Sequence, residues 1–151
     1  MTPAVIRRAA GEDELAAACR LLQQFFREER FDSPPETVAI HARRMYELED
    51  HCLMLLAWAD DRPVAVATLS MNFGIEFGWQ AEIGDLYVVP SMRGRGLASR
   101  LVEQCIVWAG AKGASSLAVT VTTHGAGQGL DRFYRALDFQ GDGRRILLRR
   151  I

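Results

Sequence analysis

This chain of 151 residues has little of what would commit it to a nucleic acid, a membrane or a metal. Its formal net charge is −1, so it has no basic field for a polyanion and no acidic tail. No apolar run reaches membrane-spanning length, and Met1-Thr2-Pro3-Ala4-Val5-Ile6-Arg7-Arg8 lacks a signal-peptide core, which leads us to expect a cytoplasmic protein. The three cysteines, Cys19, Cys52 and Cys105, stand in separate apolar contexts without C-x-x-C spacing, and His41, His51 and His124 are scattered. That spacing argues against zinc and against a disulfide framework, so no metal is expected. Cys105 follows Leu101 by four residues on an apolar row and reads as a small core residue. With no internal repeat and no low-complexity linker, residues 1–151 are expected to form one domain, long enough to bury a core of its own.

What is present is concentrated in Leu86-Tyr87-Val88-Val89-Pro90-Ser91-Met92-Arg93-Gly94-Arg95-Gly96-Leu97-Ala98, an apolar strand that runs into an Arg/Gly turn and opens a helix. Glycines let successive N–H groups converge, and the helix start offers unpaired N–H groups and a positive dipole end. Arg93 and Arg95 add fixed positive charge. The stretch reads as a cradle for a diphosphate, with an apolar strand beside it for an extended arm, and coenzyme A carries both parts. A Walker loop is missing its Gly-Lys-Ser/Thr, and a G-x-G-x-x-G dinucleotide loop would need glycine where Ser99 stands.

Periodicity places strands at Ala4–Ala9, Leu53–Ala59, Val64–Phe73 and Ala81–Val89, with Asp60-Asp61-Arg62-Pro63 turning the second into the third. Helices are expected at Asp13–Glu29, from Pro35 to about Glu49, and at Arg95–Lys112, stopped by Gly113. A strand at Leu117–Thr122, a glycine-rich loop at residues 125–129, a short helix at Gln128–Leu137 and a hairpin over Phe139–Ile151 around Gly141-Asp142-Gly143 complete the chain.

Arg93, Gly96 and Ala98 resemble the R-x-x-G-x-G/A motif of the GNAT superfamily of acetyl-CoA-dependent N-acetyltransferases, and Phe133-Tyr134-Arg135-Ala136-Leu137-Asp138-Phe139 resembles that superfamily's F-Y-x-x-x-G-F segment. Asp138 stands where the family has glycine, a mild departure because Asp tolerates left-handed geometry. The resemblance covers about residues 80–140. It implies an α/β fold with a mixed, mostly antiparallel sheet of six or seven strands flanked by about four helices. It also implies acetyl-CoA as co-substrate. The coenzyme would be held by the main chain of Leu86, Tyr87 and Val88 and by the turn Arg93, Gly94, Arg95, Gly96, Leu97 and Ala98, with Tyr134 beside the thiol and Val88 N–H a possible oxyanion donor.

Moving an acetyl group to an amine requires a neutral amine, a stabilised oxyanion and a protonated leaving thiolate. The resemblance makes Tyr134 the general acid; as a plain structural residue it would pack against Phe133 and Phe139. Glu82 is the candidate base, or a carboxylate that binds a cationic substrate, and His124 is a further candidate. In a regular strand Glu82 shares a face with Gly84, Leu86 and Val88, while Asp85 shares the other with Ile83, Tyr87 and Val89, unless a bulge resets the phase. Glu28, Asp32, Glu76 and Asp85, interleaved with aromatic residues, favour a cationic amine such as an aminoglycoside, a polyamine or an amino-acid-like metabolite. A protein amino group and a non-catalytic acyl-CoA-sensing domain remain as alternative readings. The terminal Arg144-Arg145-Ile146-Leu147-Leu148-Arg149-Arg150-Ile151 is an edge-strand candidate and points to a homodimer.

Overall fold

The computed structural model describes residues 3–151; Met1 and Thr2, read above with the N-terminus, lie outside the described residues. Strands β1 (Val5–Arg8), β2 (Cys52–Ala59), β3 (Arg62–Gly74), β4 (Gly78–Val88) and β5 (Leu117–Val119) lie side by side in chain order. The first four are antiparallel neighbours, and β5 runs parallel to β4. Helices α1 (Gly11–Glu29) and α2 (Pro35–Glu47) separate β1 from β2, and α3 (Leu97–Ala111) joins β4 to β5. Two short helices, α4 (Thr123–Gly127) and α5 (Leu130–Arg135), follow β5. By contact density the chain forms two compact units, one running through Val119 and the other from Thr120 to Ile151.

Local chemistry accounts for the element ends. Glu12, Asp13 and Glu14 sit in the first turn of α1, where the helix dipole favours negative charge, and Pro35 opens α2 at a position whose N–H would be unpaired anyway. Asp60 and Asp61 take φ of +47° and +60°, the left-handed pair that a tight two-residue hairpin requires.

The central strands are apolar on both faces because both are covered. Met54, Leu56, Val66 and Tyr87 share one face with Leu15, Ala18, Leu22, Val38 and Ala42 of α1 and α2 in a single buried cluster. The alternate residues Leu53, Ala67, Leu69 and Ile83 are also buried and turn to the other face, which α3 covers with its buried row Leu97, Leu101, Val102, Cys105 and Ala109. Cys105 is fully buried there, and desolvation pushes its thiol up to about 12. It is a core residue, as its spacing suggests.

The expected α/β class and mixed, mostly antiparallel sheet are present, with five strands in place of six or seven and five helices in place of four. The deficit lies entirely after β5. That strand stops at Val119, short of Thr122, because Thr122 instead caps α4: its Oγ1 accepts from Gly125 N at 3.0 Å. The expected loop at residues 125–129 therefore begins as a helix. The hairpin expected over Phe139–Ile151 is not formed. Its turn is in place, with Gly143 at φ +82° and Arg144 N donating to Asp142 Oδ1 at 2.9 Å, but the residues on either side lie in no ladder. No helix among the described residues is long and apolar enough to cross a membrane.

Candidate active site

The site is built on β4, and its shape follows from one irregular residue. Thr68 of β3 pairs with Asp85, whereas Leu69, the next residue, pairs with Ile83, so Gly84 is extra on β4 and forms a β-bulge. Its lack of a side chain matters, because a Cβ there would lie 3.1 Å from Thr68 Oγ1. The bulge resets the strand's phase. Glu82 pairs with Ser70 and Asp85 with Thr68, two residues apart on β3, so the two carboxylates share one face. This corrects the regular-strand expectation that they point opposite ways. The shared face is the one that α1 and α2 cover farther along, at Val66 and Tyr87.

The two carboxylates differ in surroundings. Asp85 is half-buried and accepts a hydrogen bond of 2.5 Å from Thr68 Oγ1; Thr68 is the only buried polar residue among those described. Burial raises the proton affinity of Asp85, and the Thr68 hydrogen bond opposes that rise only in part. Glu82 is exposed. Gln80 stands one alternation before it on the same face, and its Nε2 donates to Ser116 Oγ at 2.9 Å. Thr68 was visible in the sequence only as the one hydroxyl within Val64-Ala65-Val66-Ala67-Thr68-Leu69, a signal that an apolar reading of that strand passes over.

Past the bulge the outer edge of β4 is open. Strand β5 pairs with Ala81, Glu82 and Ile83 and then ends, while on the inner edge Val89 N donates to Val64 O at 2.9 Å. Because main-chain groups alternate between the two edges of a strand, Val88 N–H faces the outer edge. There it has no strand partner among the described residues.

Beyond Val88 the chain makes a 3₁₀ turn over Pro90–Met92, passes Arg93 and reaches α3 through Gly94 at φ +73° and Gly96 at φ +74°. These left-handed conformations are ones a side chain would strain, which is why both positions are glycine. Gly96 is the N-cap of α3, and no side chain caps that helix. Its first-turn N–H groups are thus available to an anion, as the cradle reading requires. Leu97 anchors the turn by being buried, and Arg95 is exposed.

Arg93, expected to add fixed positive charge at the cradle, is itself held by neighbouring groups. Its Nε donates to Val88 O at 2.9 Å, its Nη2 donates to Glu28 Oε2 at 2.8 Å, and its guanidinium lies 5.6 Å from the centre of the Tyr87 ring. Tyr87 Oη donates to the other Glu28 oxygen at 2.8 Å. Burial would raise Glu28, but the hydrogen bonds from Arg93 and Tyr87 outweigh it and hold the carboxyl below its ordinary range. Tyr87, desolvated and donating to a carboxylate, is pushed up to about 12. Glu28, expected on the acceptor side, is thus engaged at the base of the turn.

The other expected acceptor residues are dispersed. Asp32 lies in the α1–α2 connection beside Phe26, Arg27, Arg30 and Phe31, lining a groove of about 310 Å³ whose charges are of both signs. Glu76 is exposed at the tip of the β3–β4 hairpin, six residues before Glu82 along the strand, roughly 15–20 Å away at the usual rise.

In the unit beyond Val119, Tyr134 of α5 is buried, with Phe133 and Phe139 edge-on to its ring at 4.9 and 5.3 Å. Asp138 takes φ +66°, the left-handed conformation expected at that position, and Phe139 N closes the helix end on Tyr134 O at 3.1 Å. His124 is exposed within α4. Among the described residues no three His, Cys, Asp or Glu side chains come together as a metal-holding group.

An α/β sheet with a bulged, half-open strand leading through a double-glycine turn into an uncapped helix is the architecture of a site for an anionic, chain-like ligand. The match to the family model of the acetyltransferase (GNAT) family spans residues 15–139, and the chain belongs to that family. A curated relative, aminoglycoside N(6')-acetyltransferase type 1 of Acinetobacter haemolyticus, is 32% identical over 80 residues, which cover 49% of this chain and 55% of the relative. The match thus spans about half the length of each. Among solved structures, aminoglycoside antibiotic 6'-N-acetyltransferase AAC(6')-IG of Acinetobacter haemolyticus superposes with a TM-score of 0.79 at 21% identity, covering 97% of this chain and 98% of that one. AAC(6')-Iy, in complex with the bisubstrate analogue CoA-S-monomethyl-acetylneamine, superposes with a TM-score of 0.82 at 20% identity, covering 99% of both chains. An integron cassette protein from a salt-marsh metagenome gives 0.83 at 20% identity over 97% of this chain and 90% of that one.

Proposed function

We propose that this protein is an acetyl-CoA-dependent N-acetyltransferase whose acceptor is a primary amine on a cationic small molecule, with aminoglycosides the first class to test. The observation that carries the reading is the bulge at Gly84, which puts a half-buried and an exposed carboxylate on one face of the strand that enters the diphosphate turn. Family membership supports acetyl-CoA as donor, and the names of the relatives support the acceptor class. The family match runs through both compact units, which supports reading the chain as one acetyltransferase domain.

In this reading the diphosphate lies on the main chain of Arg93, Gly94, Arg95, Gly96, Leu97 and Ala98, and the pantetheine arm pairs with the open edge of β4 at Leu86 and Val88; the main chain of Tyr87, expected to join them, faces β3 instead. Glu82 receives the acceptor's ammonium group. Asp85, whose burial raises its proton affinity, takes the proton. This reverses the roles first expected of the two carboxylates, and the bulge together with the burial of Asp85 is the reason. The neutral amine attacks the thioester carbonyl, forming the C–N bond, and Val88 N–H stabilises the oxyanion. Collapse breaks the C–S bond; the thiolate takes its proton from Tyr134, the acid that the family resemblance implies, and the proton shed by the acylated nitrogen restores the phenol. Two bound reactants are aligned with no covalent enzyme intermediate.

The assembly is a homodimer joined through Arg144–Ile151. Ile146, Leu147, Leu148 and Ile151 are each at least 76% exposed, which supports a partner strand from a second copy. A cytoplasmic setting, where acetyl-CoA is supplied, belongs to the same reading.

The test is a thiol-release assay with acetyl-CoA against aminoglycosides, polyamines, amino acids and lysine peptides, with Tyr134→Phe beside the wild type. Turnover with one amine class, reduced at least tenfold in Tyr134→Phe at unchanged coenzyme affinity, supports the assignment. Coenzyme binding without turnover of any amine points to an acyl-CoA-sensing domain.

A further inference from the structure

We propose that Glu28 is a positioning residue for the diphosphate turn: by holding Arg93 against Val88 and Tyr87, it sets the course of the main chain from β4 into α3 and ties that turn to α1. The inference rests on the coenzyme reading above and adds a residue from outside the motif that carries it.

Both oxygens of Glu28 are used, Oε1 by Tyr87 Oη and Oε2 by Arg93 Nη2, each at 2.8 Å. Tyr87 is fixed in turn by Phe25 of α1, whose ring centre lies 5.4 Å from its own. Arg93 is thereby held at two points, by the carboxylate and by Val88 O, with the Tyr87 ring beside the guanidinium. Within the turn Met92 N donates to Val89 O at 2.9 Å and Arg93 N to Pro90 O at 3.3 Å, and Gly94 and Gly96 follow before α3 begins. Glycines lose more freedom on ordering than any other residue, so a braced side chain next to them has the largest effect on how well their N–H groups are pre-aimed. Without Glu28, Arg93 keeps a single bond to Val88 O and its guanidinium can rotate away. The charge-assisted bonds on either side of the carboxylate are the strong kind, and both are lost together.

The experiment titrates coenzyme A calorimetrically into the wild type, Glu28→Ala, Glu28→Gln, Arg93→Ala and the Glu28→Ala/Arg93→Ala double variant. Each alanine variant is expected to weaken coenzyme binding about five- to tenfold, and the double variant to be no worse than Arg93→Ala, the non-additivity of residues acting as a unit. Glu28→Gln, which keeps the shape and part of the hydrogen bonding, recovers most of the loss. In the assay the KM for the coenzyme rises and the KM for the amine does not. An independent readout is the ultraviolet titration of Tyr87, assigned by subtracting Tyr87→Phe: its ionisation moves to lower pH when Glu28 becomes Ala, because the carboxylate that accepts its proton and opposes its charge is gone. Wild-type affinity in both Glu28 variants with loss only in Arg93→Ala would overturn the brace and make Arg93 a direct diphosphate ligand. A rise confined to the amine KM would overturn it in favour of an acceptor role for Glu28. A wild type that binds no coenzyme A sinks the coenzyme reading and this inference with it, whereas an effect of Glu28 on Tyr87 alone would show the contacts without the function.

Discussion

Two short segments of this chain carry the same ingredients, two glycines one residue apart with arginines beside them: Arg93-Gly94-Arg95-Gly96 and Gly141-Asp142-Gly143-Arg144-Arg145. Both turn as their composition dictates, Gly94 and Gly96 at φ of +73° and +74° and Gly143 at +82°. Only the first becomes part of a larger structure. It is flanked by β4, already paired along its length with β3, and by α3, whose buried row locks its far end. The second leads from Phe139 into a segment with four large apolar side chains exposed. Turn chemistry is local and is satisfied within a few residues, but a strand exists only where another strand accepts its ladder.

The largest expected effect tests what the first segment serves. Asp85→Asn should lower turnover about 100-fold, the low end for a lost general base, at nearly unchanged coenzyme affinity. The same variant should melt higher at pH 7, by about 2–5 °C. The sign follows from linkage. The folded-state pKa of Asp85 is raised above the unfolded value, so the native protein binds more protons between the two and stability falls as pH rises through that window. At neutral pH the buried charge is a standing cost, which Asn removes while still accepting the Thr68 hydrogen bond. The wild type and the variant should therefore converge in stability as pH falls below the ordinary Asp range. Turnover that survives in Asp85→Asn would return the base role to Glu82 or His124.

A smaller effect tests the turn itself. Gly96→Val places a β-branched residue at φ +74°, in left-handed geometry that costs about 1–2 kcal/mol even before branching. A Cβ at Gly96 meets open space, so strain and not collision is the cause. Relief by shifting the backbone would move the N–H groups at the start of α3, and coenzyme affinity should fall about tenfold, since about 1.4 kcal/mol is a factor of ten. Gly143→Val, at nearly the same φ in the second segment, should leave coenzyme affinity alone. Equal losses at both positions would erase the distinction between the two turns.

How much of this was legible divides along the same line. The order of strands and helices from Val5 to Ala111, the turn at Asp60–Asp61 and the left-handed Asp138 are local matters of period, cap and turn residue, and they read correctly from the chain. The shared face of Glu82 and Asp85 was not legible, because a bulge is a property of two strands in register and Gly84 alone does not announce one. Nor was the engagement of Arg93 by Glu28, which stands 65 residues away in the chain. Thr68 is one hydroxyl in an apolar stretch, and only the pairing with β4 places a carboxylate opposite it.

The smallest effect on catalysis, and the sharpest on the comparison, is expected at the second segment. If Ile146–Ile151 is a strand waiting for a second copy, then Leu147→Glu, on a side chain that is 89% exposed, costs the isolated chain almost nothing in packing. In a dimer the same change would bury an unpaired carboxylate, which is strongly unfavourable. Light scattering should therefore give a dimer for the wild type and a monomer for Leu147→Glu at the same concentration, with turnover changed by less than about twofold if the site is complete within one chain. A wild-type monomer would leave the exposed apolar residues without that partner and make the second segment a turn and nothing more. A dimer that survives Leu147→Glu would place the interface elsewhere, and the contrast between the two segments would then rest on the chain's own packing alone.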